Sequence, residues 1–229
     1  MFEILFIDLD DTILDFQKAE AAALNKTLRS FALEPTPSVC RRYHEINKAY
    51  WEALERKEVT REQVLVGRFQ TLFAEMNAAC DPAAVAECYK TNLGTGHYFL
   101  PGAEAAIKAL SRKYRLFLAS NGTTSVQQGR IASAGIAKYF EDIFISQEIG
   151  INKPDKAYFD RCFAKIPGFD RSKTMIVGDS LTSDMLGGQN AGITACWVNP
   201  SHKQGRGDIR VDYEIEALSQ LEELLEGLK

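Results

Sequence analysis

Apolar positions follow two rhythms along this chain, and the switches between them divide it into segments. Phe2 to Ile7 is an almost unbroken apolar run rich in Ile, Leu and Phe, the pattern of a buried parallel strand. From Lys18 to Asn92 apolar residues recur at helical spacing with no β-branched run between them, which predicts helices over 19–31, 38–56, 60–77 and 82–91. Breaks fall at Glu34-Pro35-Thr36-Pro37 and at Asp81-Pro82, and Thr60 with Gln63 has the spacing of a capping box.

Beyond the glycines and the turn-forming Pro101-Gly102 of segment 94–102, short apolar runs alternate with helical stretches. Strands are predicted at 115–119, 143–146, 174–177 and 194–198, with an edge strand at 212–215. Helices are predicted over 103–113, 125–134, 156–165 and 183–191. A last amphipathic helix over 219–228 has Ser219 and Glu222 in capping-box register. This alternation implies an α/β fold around a right-handed parallel sheet, with a four-helix bundle inserted after the first strand.

Composition narrows the function. The 229 residues are 45% hydrophobic, enough for a sizeable core. A net charge of -4 offers no long-range attraction to a nucleic-acid polymer or an anionic membrane. Cys40, Cys80, Cys88, Cys162 and Cys196 are scattered, odd in number and without a CxxC pair, which suits a reduced cytoplasm. The N-terminal apolar run is too short for a signal peptide, and no other approaches membrane-spanning length. His44, His97 and His202 lack zinc spacing to any Cys.

The chemistry gathers at strand ends. Asp8 and Asp10 close the first apolar run, and strand alternation sends them to one side while Leu9 goes to the other. In an open α/β sheet that edge borders the ligand crevice. The second strand ends in Ser120-Asn121-Gly122, a turn whose hydroxyl, amide and backbone N–H groups can donate to a phosphate. After the third comes Lys153, made extended by Pro154 just before a helix. The fourth ends in Gly178-Asp179, with Asp184 at the start of the next helix. Such hard oxygen donors suit Mg²⁺, which also screens an anionic nucleophile from a phosphoryl group.

Through Asp8-Leu9-Asp10-Asp11-Thr12, Ser120-Asn121-Gly122, Lys153-Pro154 and Gly178-Asp179 to Asp184, in that order, the chain resembles the haloacid-dehalogenase superfamily of phosphohydrolases. The resemblance implies a Rossmann-like catalytic core of residues 1–15 and 97–229 and a helical cap of residues 16–96, with hinges at Asp15-Phe16 and Leu100-Pro101-Gly102. It implies that Asp8 is the nucleophile, forming an aspartyl-phosphate, and that Asp10 is the acid/base. Mg²⁺ would be held by Asp8, the backbone carbonyl of Asp10 and Asp179. Ser120, Asn121 and Lys153 would bind phosphoryl oxygens, and Asp184 would support Lys153 and metal-bound water. Dehalogenase-like members lack an acid at the position of Asp10, and mutase relatives usually have Gly where Asp11 stands. A phosphonatase needs a cap amine, and nothing marks Lys18, Lys26, Lys48 or Lys57 as one.

The insert is where a leaving group would be selected. Asn47-Lys48-Ala49-Tyr50-Trp51, Thr60 and Gly67-Arg68-Phe69, with Gly187 to Gly192 and Cys196 to Pro200, resemble the phosphatases grouped as pyrimidine 5′-nucleotidases. Trp51, Phe69, Tyr50 or Phe16 could stack on a base, and Asn47 or Arg68 could read its polar edge. Aromatics at helical spacing usually fill a bundle core, so no cap residue is assigned to a site. The expectation is a phosphatase of a small phosphorylated metabolite, foremost a pyrimidine nucleoside 5′-monophosphate. A sugar-phosphate or phosphoglycolate phosphatase, and a non-catalytic phosphate-binding regulatory module, are the alternatives.

Overall fold

The structure, a computed structural model, describes residues 1–228. Six strands, β1 (Ile4–Ile7), β2 (Arg115–Ser120), β3 (Asp142–Ile145), β4 (Thr174–Gly178), β5 (Thr194–Val198) and β6 (Tyr213–Ile215), pair in parallel in the order β3-β2-β1-β4-β5-β6. The chain forms two compact units. One is Met1–Phe16 together with the chain from His97 onward, and the other is Gln17–Gly96.

The second unit is built on α1 (Phe16–Ser30), α2 (Pro37–Glu55), α3 (Arg61–Met76) and α4 (Pro82–Leu93). Prolines stand in the first turns of α2 and α4, where a missing N–H costs nothing. The capping box at the start of α3 is formed: Gln63 N–H donates to Thr60 Oγ1 at 3.3 Å, and Thr60 N–H to Gln63 Oε1 at 2.7 Å. Tyr43, Phe69 and Tyr89 pack with ring centroids 5.1–5.5 Å apart. Arg68 is buried against them, its guanidinium 4.9 Å from the Tyr89 ring, and donates to Asn47 Oδ1 at 2.7 Å. Asn47 Nδ2 in turn donates to Glu20 Oε1 at 2.7 Å. Phe69, Arg68 and Asn47 therefore serve the interior of this unit, as helical spacing of aromatics generally implies.

In the other unit, strand alternation sorts the core into two layers. Leu5, Ile7 and Leu9 join Leu118, Val177 and residues of α5 (Ala103–Leu110), α6 (Thr124–Ala134) and α10 (Leu221–Gly227) on one face of the sheet. Ile4 and Phe6 join Phe117, Phe144, Ile176 and residues of α7 (Ser146–Ile149), α8 (Lys156–Phe163) and α9 (Leu186–Ala191) on the other. Burying both faces explains why β1 and β4 read as continuous apolar runs. Ile7 pairs level with Leu118 and with Val177, so β1, β2 and β4 end at one sheet edge.

Several expected elements differ, among them the first helix, which begins at Phe16 rather than at Ala19. The helix expected over 103–113 ends at Leu110, where Arg112 and Lys113 N–H groups close tight turns onto Ala109 and Leu110 carbonyls. The helix expected over 183–191 begins with a wide π turn, Leu181–Met185, in which the Asp184 and Met185 N–H groups share the Ser180 carbonyl. Ser219 and Glu222 form no capping box. Ser219 lies inside a 3₁₀ turn, Gln220 Oε1 accepts from Glu216 N–H at 2.7 Å, and Glu222 pairs with Lys113 at 2.6 Å. Among the described residues, no helix is long and apolar enough to cross a membrane.

Candidate active site

β1 ends at Ile7, but Asp8 N–H still donates to Val177 O at 2.9 Å, so its carboxylate is set at the sheet edge and buried. Leu9 is sealed in the core, and the chain then turns back. Asp11 adopts φ 54°, a left-handed conformation that Asp tolerates better than most residues. Ile13 and Leu14 N–H groups return to Leu9 O at 3.0 and 2.9 Å, and Asp11 Oδ1 accepts Phe16 N–H at 2.9 Å.

Lys153 is 1% exposed, and its ammonium uses all three protons. It donates to Asp8 Oδ1 at 2.7 Å, Asp184 Oδ1 at 2.7 Å and Ala119 O at 2.6 Å. Burying an isolated ammonium costs several kcal/mol. Burial opposes the Lys153 charge, but Asp184 and Asp8 outweigh it and hold the group above its ordinary pKa. The peptide bond preceding Pro154 is cis.

Asn121 grips the backbone of the same lysine. Its Oδ1 accepts Lys153 N–H at 2.8 Å, and its Nδ2 donates to Lys153 O at 2.9 Å and Ser183 Oγ at 3.1 Å. The amide is thus committed to locating Lys153. Ser120 is 1% exposed, and its Oγ accepts from Gln127 Nε2 at 2.7 Å and Gly122 N–H at 3.2 Å. Both contacts use the oxygen as acceptor, so the hydroxyl proton is available to an incoming anion.

Carboxylate oxygens of Asp8, Asp179 and Asp184 lie within 4.8 Å of one another. Asp179 follows β4, with its carbonyl fixed by Trp197 Nε1 at 2.8 Å. Asp184 Oδ2 accepts Ser180 N–H at 3.2 Å. Gly178 makes the close approach possible, because a Cβ there would overlap the Asp184 carboxylate. Burial, then the Asp184 and Asp10 charges, push Asp8 up to about 8 against the pull of Lys153. Burial and the Asp8 charge likewise hold Asp179 well above the usual carboxylate range. Three acids facing one ammonium leave two negative charges uncompensated when all are ionised. A hard divalent cation fits that donor set and that deficit.

The Asp10 side chain is placed apart from this cluster. Its Oδ2 accepts from Gln127 Nε2 at 2.6 Å, and its Oδ1 from Arg130 Nη1. Sequence reasoning singled out neither partner. The available signal was a polar pair, Gln127 and Arg130, within the i, i+3, i+4, i+7 stripe that Ile131 and Ala134 complete on α6.

The profile of the haloacid dehalogenase-like hydrolases matches residues 2–192. The HAD-hydrolase YfnB of Bacillus subtilis is 38% identical over 224 residues, covering 98% of this chain and 95% of its own. The pyrimidine 5′-nucleotidase PynA of Streptococcus pneumoniae is 34% identical over 226 residues, 98% of this chain and 95% of its own. The pyrimidine 5′-nucleotidase YjjG of Escherichia coli is 29% identical over 221 residues, 96% of each. A crystal structure of YfnB bound to magnesium aligns with a TM-score of 0.94 over 98% of both chains.

Proposed function

The chain belongs to the haloacid dehalogenase-like hydrolases, and we propose that it is a Mg²⁺-dependent phosphatase of pyrimidine nucleoside 5′-monophosphates. The observation that carries the chemistry is the set of buried Asp8 and Asp184 and half-buried Asp179 around Lys153. Two relatives named pyrimidine 5′-nucleotidases, matched over nearly the whole chain, support the substrate class.

Asp8 is the nucleophile. Its carboxylate oxygen attacks phosphorus in line, and the bond to the leaving oxygen breaks with its electron pair on that oxygen, which takes the proton of Asp10. A water then attacks the aspartyl-phosphate and gives its proton to the Asp10 carboxylate, releasing phosphate and restoring Asp8. The Ser120 hydroxyl donates to a phosphoryl oxygen, Lys153 does so by exchanging its bond to Asp8 for one to the phosphoryl group, and Asn121 contributes its backbone N–H while its side chain holds Lys153. Asp184 orients Lys153. Asp8, the backbone carbonyl of Asp10 and Asp179 would hold Mg²⁺, which supplies charge neutralisation for phosphoryl transfer.

Residues 1–15 and 97–229 form the catalytic core in this reading, and 16–96 act as the cap that selects the leaving group. Its selectivity falls to residues other than Phe69, Arg68 and Asn47, which its interior occupies. The substrate is a small cytoplasmic metabolite.

A panel of pyrimidine and purine nucleoside 5′-monophosphates, sugar phosphates and phosphoglycolate, assayed with Mg²⁺ for released phosphate, tests the reading. Preferential turnover of the pyrimidine nucleotides is expected, and selective turnover of sugar phosphates would overturn it. Retained turnover in Asp8→Asn would refute the nucleophile.

A further inference from the structure

Asp10 serves both halves of the proposed reaction, and helix α6 takes hold of both its oxygens. Gln127 Nε2 donates to Oδ2 at 2.6 Å, and Arg130 Nη1 donates to Oδ1. The two donors are mutually fixed. Arg130 Nη1 also lies 3.1 Å from Gln127 Oε1, which turns the amide oxygen towards the guanidinium and its nitrogen towards the acid. The second proton of that nitrogen goes to Ser120 Oγ at 2.7 Å. One amide therefore spans the acid/base and the hydroxyl that faces the phosphoryl group.

Two further observations show that the arrangement is built. Gly122 must lack a side chain, because a Cβ there would overlap Gln127 Cγ, Cδ and Nε2. Arg130 has no exposed surface, and its guanidinium sits 5.6 Å from the Phe16 ring. Burying a guanidinium costs several kcal/mol unless a carboxylate offsets it. Its Nη1 meets the Asp10 carboxylate. A purely packing role beside Ile131 would be met by an apolar residue of similar length.

We infer that Gln127 and Arg130 are positioning residues that hold the Asp10 carboxyl in line with the leaving oxygen and in register with Ser120. This rests on the phosphatase reading above. Of the two halves, the one that separates leaving groups is the first: cleavage of the P–O bond as the leaving oxygen takes the Asp10 proton and Asp8 takes the phosphoryl group. An alkoxide leaving group needs that proton, whereas p-nitrophenolate departs as a stable anion.

The test compares kcat/KM, which covers the reaction through leaving-group release, for a nucleoside 5′-monophosphate and for p-nitrophenyl phosphate. Gln127→Met and Arg130→Met should lower the value for the nucleotide roughly 10- to 100-fold, mainly in kcat, and that for the aryl ester by less than about 3-fold. Arg130→Lys, which keeps a donor, should recover part of the nucleotide rate. Gln127→Met preserves side-chain length and buries no new charge, so it decides the matter if Arg130→Met fails to fold. Equal losses on both esters, or no loss on either, overturn the positioning role alone. A wild-type enzyme that hydrolyses neither ester overturns the phosphatase reading, and this inference with it.

Discussion

Taking the protein from about pH 8 to about pH 6 should weaken Mg²⁺ binding roughly fiftyfold through Asp8 alone. Asp8 is pushed up to about 8 from an ordinary 3.8, first by burial and then by its acidic neighbours, with Lys153 opposing. A cation needs the ionised carboxylate, and one pH unit below the pKa costs about 1.4 kcal/mol to ionise it. The sign for the fold follows from the same shift. Between about pH 4 and pH 8 the folded, metal-free protein keeps a proton that the unfolded chain has lost, so its stability falls as pH rises, by at most about 1.4 kcal/mol per unit per group. Bound Mg²⁺ should cancel that loss, and the melting-temperature gap between magnesium and chelator should widen with pH. Titration calorimetry in buffers of different ionisation enthalpy should detect proton release on binding near neutrality. Asp8→Asn should reduce the release, leave the contribution of Asp179, and raise metal-free stability at about pH 8. A magnesium affinity that stays flat across this range, or proton release unchanged in Asp8→Asn, would refute the argument.

Two other substitutions probe the architecture. Gly178→Ala forces Asp184 away from Ser180 and Lys153, and a displacement near 1 Å in such a site should cut phosphate release by about a hundredfold with little change in circular dichroism. Phe69→Ala empties the centre of the Tyr43, Phe73 and Tyr89 cluster and should destabilise the helical unit by about 3–5 kcal/mol, measured by urea unfolding.

Much of the fold was legible because its signals are local. Apolar runs marked β2 and β4 within a residue of their ends and β1 within two, and Thr60 with Gln63 marked the start of α3. Ser219 and Glu222 misled because Gln220 and Lys113 offered their neighbourhood better partners. The π turn after Ser180 was hidden for the same kind of reason: it takes shape around Gly178, Asp184 and Lys153, which only the folded sheet brings together.

Sequence by itself determined which segments are strands, that Asp8, Ser120, Lys153 and Asp179 stand at or beyond the ends of four of them, and that the residue types suit a phosphoryl group and a hard cation. Periodicity and strand-end chemistry depend on neighbours a few positions away, so one chain suffices to read them. Tertiary structure decided what each side chain does there. The order of β2, β1 and β4 brings Lys153 to Asp8 across 145 positions, turns the Asn121 amide onto the Lys153 backbone, and lays Gln127 against Asp10 across 117. Such contacts are made between strand ends set side by side by pairing, and no local pattern encodes which partner a buried polar group will meet.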